Sequence, residues 1–223
     1  MEHRIRFGPS YALVDVDLEP GESLVTESGA MSWMEGPLDV KTASRGGVLQ
    51  GLKRRILSGE SFFQNTYTAT GPGAHVGIAP GAAGDVIAHT LHDEELFLQR
   101  GAYLASETGV RCDAKFDGLR GFFNEGLFIL RCVGTGLLFF SAYGDVVEME
   151  VDGEYIVDNG YAVAWEPSLT WRLHRARKIR SFLFGDQLML RFSGRGKLWI
   201  QSRSPHSLAN FAHPFRRVQR SNN

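Results

Sequence analysis

GLFILRCVGTGLLFFSAYG runs from Gly126 to Gly144, and its apolar length raises the question of a membrane span. Arg131 sits near its middle, and a charge at mid-bilayer is expensive. Gly134-Thr135-Gly136 would also weaken any helix there. Two short strands joined by a glycine turn account for the same residues. The stretch is expected to be a buried hairpin.

The glycine pair recurs. ESFFQNTYTATGPGAHVGIA (Glu60 to Ala79), EGLFILRCVGTGLLFFSA (Glu125 to Ala142) and DQLMLRFSGRGKLWIQS (Asp186 to Ser202) each place an apolar strand, Gly-x-Gly and a second apolar strand in order. The first glycines, Gly71, Gly134 and Gly194, are 63 and 60 residues apart. Upstream of each lies a second recurring element: GESLVTESGAMSWMEG (Gly21 to Gly36), EELFLQRGAYLASETG (Glu94 to Gly109) and GEYIVDNGYAVAWEPS (Gly153 to Ser168). Their pivots are Gly29, Gly101 and Gly160. Fixed-interval self-similarity of this kind marks an internally repeated architecture, with repeats at about 10–85, 86–148 and 149–204.

Gly-x-Gly can cradle a phosphate, but a phosphate loop needs a helix starting just after its glycines. Here Val76 and Ile78, Leu138 and Phe140, and Leu198 and Ile200 follow at period two, which is a strand pattern. The glycines are expected to serve turns, for which they permit positive φ. Only GGVLQGLKRRILSG (Gly46 to Gly59) has a helical stripe, through Val48, Leu49, Leu52 and Ile56. It lies in the first repeat alone. The expected fold is all-β, a β-roll or double-stranded β-helix-like sandwich of three degenerate repeats with one short inserted helix. One domain spans 1–204, followed by a partly disordered tail over 205–223.

Composition sets wide limits. Of 223 residues, 43% are apolar and 22% charged, enough for a sizeable core, and the formal net charge of −1 forces no conclusion about partners. Two cysteines, Cys112 and Cys132, argue against a disulfide framework and for a reducing compartment. MEHRIRFGPS has no apolar secretory region. A cytoplasmic location is expected, with no transmembrane segment.

GESFFQNTYTATGPG, RGAYLASETGV, GLFILRCVGTGLLFFSAYGD and FSGRGKLWIQSRS together resemble the altered-inheritance-of-mitochondria family, member twenty-four, from about Gly8 to Ser204. That resemblance implies a β-roll related to the tryptophan RNA-binding attenuation protein, with pseudo-threefold internal repetition. It also implies homo-oligomerisation, a trimer being one expected form. Mitochondrial relatives are associated with inner-membrane organisation. No transit peptide is recognisable here, so that location is not carried over, and the family supplies no catalytic residues to transfer.

The sharpest metal candidates are His89, His92 and Glu95 in HTLHDEELFLQRG, similar in outline to the metal motif of cupins. Ligands must converge on one face, whereas strand residues three apart point to opposite faces. Solvent-exposed histidines near a turn are the plainer expectation, and no cofactor is expected. No Gly-x-Ser-x-Gly elbow or catalytic cysteine context occurs.

Charge placement says more than total charge. From Thr170 onward, twelve Lys or Arg face one acid, Asp186, giving +11 locally and leaving −12 for the preceding residues. The anionic-ligand candidates are Arg172, Arg175, Arg177, Lys178, Arg180, Arg195, Lys197 and Arg203. They could face acidic surface on another subunit, meet nucleic acid or lipid head groups, or be scattered over solvated surface. Trp171, Phe182, Phe184 and Trp199 interleave with them but have core spacing. In the tail, Leu208, Phe211 and Phe215 suit a short docked amphipathic turn. A basic tail beyond it offers weak peripheral membrane contact. The leading expectation is a non-enzymatic, self-assembling interaction or scaffold protein. An RNA or lipid binder comes next, and a cupin-like metalloenzyme last.

Overall fold

The computed structural model describes residues 1–44, 63–114, 129–175 and 188–216. The helix expected over 46–59 lies outside the described residues. What is described is all-β apart from a C-terminal helix and two single 3-10 turns.

The N-terminal part begins with β1 (Glu2–Arg6), β2 (Leu13–Leu18), β3 (Ser23–Glu27), β4 (Met31–Glu35) and β5 (Leu38–Ser44). After the undescribed segment come β6 (Phe63–Ala69) and β7 (Ala74–Ile78). β7 lies between β2 and β4, and β6 between β3 and β5, all antiparallel. β1 adds to the other side of β2. Val14, Val16 and Leu18 alternate inward along β2, with Val76 and Ile78 facing them from β7. This is the period-two burial expected of a strand with one core face.

Farther along, the strands lengthen. β8 (Val86–Gln99) is followed by β9 (Tyr103–Glu107), β10 (Val110–Ala114) and β11 (Ile129–Ser141). β12 (Val146–Asp158) is followed by β13 (Ala162–Trp165), β14 (Thr170–Arg175) and β15 (Leu188–Gln201). β8 and β11 are antiparallel along their lengths, as are β12 and β15. On its other side β11 takes β9 and β10, and β15 takes β13 and β14.

Two sheets result, one of four strands (β1-β2-β7-β4) and one of eleven that runs from β12 to β5. Short pairings join the parts of the large sheet. Leu24, Val25 and Thr26 of β3 face Glu107, Ser106 and Ala105 of β9. Leu98 and Phe97 of β8 face Ala164 and Trp165 of β13.

The expected hairpin is a single bent strand. β11 passes through Gly134-Thr135-Gly136 without reversing, and β15 passes through Gly194-Arg195-Gly196 likewise. The ladder survives because β8 and β12 are equally long and follow the bend. Its register shifts at Gly134/Thr135, opposite Asp93, which holds a left-handed φ of 60°. This is a β-bulge, which bends a strand without ending it. Glycine is required there by crowding as well as by φ. A Cβ on Gly134 would lie 2.1 Å from the Gly109 carbonyl oxygen, and one on Gly194 would lie 2.8 Å from that of Ser168. Only Gly71-Pro72-Gly73 separates two strands, and those strands enter different sheets.

Among the described residues the core forms three apolar clusters, and each draws members from distant parts of the chain. The first takes Leu104, Ala105 and Phe139 into a set built mainly from β2, β3, β6 and β7. The second, around β8 and β11, takes Val163, Ala164 and Trp199. The third packs Trp165, Leu190, Phe192 and Leu198 with Phe97 and Ile129. Trp165 stands edge-on to Phe192 at 5.3 Å and to Trp171 at 5.9 Å, with ring geometry favoured by the aromatic quadrupole.

The cysteines correct the composition argument. Cys112 and Cys132 face each other in the β10–β11 register and are joined as a disulfide. A chain reversal between residues 20 apart brings them together, and a count of cysteines carries no information about that. The tail differs from expectation too. α1 (Pro205–Ala212) starts at Ser204, whose hydroxyl accepts from the Ser207 N–H, with proline in the first turn. No residue of α1 is buried. Leu208, Phe211 and Phe215 are exposed rather than docked, and the two phenylalanine rings lie 5.8 Å apart.

Candidate functional site

The basic residues of the C-terminal third are spread along β14 and β15, and the long acidic strand β12 runs beside β15. The Lys197 ammonium donates to Glu148 at 2.6 Å, which raises the lysine pKa. Glu148 also accepts from the Trp199 indole N–H at 3.0 Å. Arg191 lies 3.3 Å from the Glu154 carboxylate, and Arg195 faces Asp152 in the register. Part of the +11 charge therefore meets acids inside the same ladder. Such exposed pairs hold strand partners in register more than they stabilise the fold.

The remaining cationic candidates have varied surroundings where they are described. Arg172 is exposed and faces Arg191 across the β14–β15 ladder. Arg175 ends β14 opposite Leu188. Arg177, Lys178 and Arg180 lie outside the described residues. Arg195 is exposed on the bend between two glycines, and Arg203 is exposed, its guanidinium donating to the Ser202 carbonyl at 3.1 Å.

His89, His92 and Glu95 share β8 but not a site. His89 is half-buried, edge-on to Trp199 at 5.6 Å, and burial lowers its pKa. His92 is exposed beside the bulge. Glu95 accepts from Arg131 at 2.5 Å on the neighbouring strand. Among the described residues, no three His, Cys, Asp or Glu side chains form a group able to hold a metal.

Two further acids have local duties. Asp85 accepts from the Val86 N–H at 2.9 Å, and burial raises its pKa. Glu22 holds the Met1 ammonium at 2.8 Å, with Glu107 at 3.8 Å. That hydrogen bond raises the amine pKa and lowers that of Glu22.

The surface feature missed in the sequence reading is apolar. Among the described residues β4 pairs only with β7, and β12 only with β15. Trp33 and Met34 on β4 are 40% and 50% exposed, and Ile156 on β12 is 45% exposed. Trp33 lies over Gly77 and stacks on His75 at 6.4 Å. In sequence Met34, Ser106 and Trp165 each lie five residues after a glycine, Gly29, Gly101 or Gly160. Only the structure shows that the latter two are covered. Among the described residues, no helix is long and apolar enough to cross a membrane.

Comparison with known proteins bears on these features. An uncharacterised protein of Streptococcus pyogenes serotype M6 is 27% identical over 217 residues, covering 91% of this chain and 87% of that protein. An X-ray crystal structure of a Streptococcus pyogenes protein superposes with a TM-score of 0.82 at 26% identity, covering 96% of this chain and 99% of that one. The profile of the family described as mitochondrial biogenesis AIM24 matches residues 3–203. Matched over nearly its whole length, the chain belongs to the AIM24 family.

Proposed function

We propose that this chain is a non-enzymatic, self-assembling interaction or scaffold protein, a β-roll of three degenerate repeats. The observation that carries this reading is a strand-pairing scheme that occurs three times. β2 with β3, β8, and β12 hold one place in it. β4 with β5, β9 with β10, and β13 with β14 hold the next, and β6 with β7, β11, and β15 hold the last. Detail supports the equivalence. The Glu107 carboxylate accepts from the Leu137 N–H at 2.9 Å, and the Glu166 carboxylate accepts from the Lys197 N–H at 2.9 Å. Each pair spans a short strand and the strand it flanks. A fold made of side-by-side units that complete one another's cores is suited to extending the same contacts between chains.

Light scattering coupled to size exclusion, at low and high salt with absorbance at 260 and 280 nm, tests the reading. A salt-resistant oligomer free of nucleic acid supports it. A monomer carrying salt-removable nucleic acid overturns it in favour of an anionic-ligand binder acting through Arg172, Arg195 and Arg203.

A further inference from the structure

The repeats complete one another in one direction. β9 lies on β3, with Ala105 opposite Thr26 and Ser106 opposite Val25. β13 lies on β8, with Ala164 opposite Leu98 and Trp165 opposite Phe97. Counted from the pivots Gly29, Gly101 and Gly160, Val25 corresponds to Phe97 and to Ile156. The docking strands correspond as well, because each has its register shift at the same step: between Met31 and Trp33, opposite Phe139/Phe140 in β9, and between Ala162 and Ala164. Trp33 thus matches Ala105 and Ala164, while Met34 matches Ser106 and Trp165.

Burial tracks this correspondence. Val25 and Phe97, each under a docked strand, are 6% and 5% exposed, whereas Ile156 is 45% exposed. Ala105, Ser106, Ala164 and Trp165 are buried, whereas Trp33 and Met34 are exposed. Among the described residues, β4 at one end has no second strand to dock on, and at the other the outer edge of β12 carries no docked strand. The faces are complementary and unlike, so the same contact repeated between copies is heterologous and head-to-tail, closing into a ring or growing into a filament.

We propose that β4 of one copy pairs with the outer edge of β12 of a second copy, antiparallel, with Trp33 opposite Val157, Met34 opposite Ile156 and Glu35 opposite Tyr155. Met34 then covers Ile156 as Trp165 covers Phe97, whose rings lie 6.1 Å apart. A strand edge left unpaired is a standing template for strand addition; that of β12 is apolar at Tyr155, Ile156 and Val157, and two internal copies of the same contact specify its occupant. This interface rests on the self-assembly reading above.

The test uses Met34→Lys and Ile156→Lys, both at exposed positions, with thermal melting checked to match wild type. Light scattering of the wild-type chain gives a mass above the 24.7 kDa of one chain. Each variant falls to a monomer. An equimolar mixture of the two recovers dimers of twice the chain mass and nothing larger, since each retains one intact face. Variants that keep the wild-type mass, or a mixture that stays monomeric, overturn this interface while leaving self-assembly standing. A monomeric wild-type chain overturns both. A Met34→Cys/Ile156→Cys chain must cross-link between copies, and a cross-link closing within one chain sinks the proposal.

Discussion

Gly153 and Gly194 face each other across the β12–β15 ladder, and both hold left-handed φ, at 107° and 126°. Their surroundings differ. A Cβ on Gly153 meets nothing within 4 Å, while one on Gly194 lies 2.8 Å from the Ser168 carbonyl oxygen. Gly153→Ala is expected to lower stability by about 1 kcal/mol from backbone strain alone. Gly194→Ala carries the same strain plus the displaced loop, about 2–3 kcal/mol. Urea denaturation of the two variants checks this, and equal losses would show that the crossing loop is irrelevant.

His89 predicts a pH dependence. Burial against Trp199 lowers its folded pKa below the ordinary value of 6.5. Below that value the unfolded chain takes up a proton that the native site resists, so the native state binds fewer protons. The contribution is fully present above about pH 6.5 and is lost as pH falls through the folded pKa. His89→Phe keeps a ring against Trp199 and should flatten the part of the melting profile that lies below about pH 6.5. A profile that overlays wild type after subtraction of a constant would refute the assignment.

Glu148 joins a surface charge to a buried indole, accepting from Lys197 at 2.6 Å and from Trp199 at 3.0 Å. Glu148→Gln keeps an acceptor for the indole and should change stability by less than about 0.5 kcal/mol. Glu148→Ala strands the N–H of a side chain that is almost wholly buried, a loss of about 1–2 kcal/mol. Chemical denaturation distinguishes them. Equal losses for the two variants would mean that the charge they both remove, rather than the hydrogen bond to the indole, dominates.

The Cys112–Cys132 disulfide closes a loop with a sequence separation of 20. Cys112→Ala/Cys132→Ala should lower stability by about 3 kcal/mol, the scale set by loop closure in the unfolded chain. Alkylation under denaturing, non-reducing conditions should label neither cysteine. Quantitative labelling of both would disprove the bond.

Much of this fold was legible beforehand. Alternation in LVDVDL and AHVGI places Val14, Val16, Val76 and Ile78 inward without further information, because a strand presents every second side chain to one face. The interval between Gly71, Gly134 and Gly194 is the sequence feature from which the proposed repeats start. What Gly134 and Gly194 do was not legible. A glycine pair permits a reversal or a bend equally well, and the choice depends on whether the facing strand is long enough to continue the ladder. β8 and β12 are, so β11 and β15 bend.

The candidate site divides along the same line. Sequence determined which residues are apolar, which are charged, and that the charge is asymmetric. Tertiary structure decided that Lys197 meets Glu148, that Cys112 meets Cys132, and that His89 and Glu95 part company along β8. It also decided that Ile156 is bare where Val25 and Phe97 are covered. Each stands four residues before a glycine, Gly29, Gly101 or Gly160, and that spacing does not separate them. Coverage is a relation between strands far apart in the chain, set by which edge is last in the sheet.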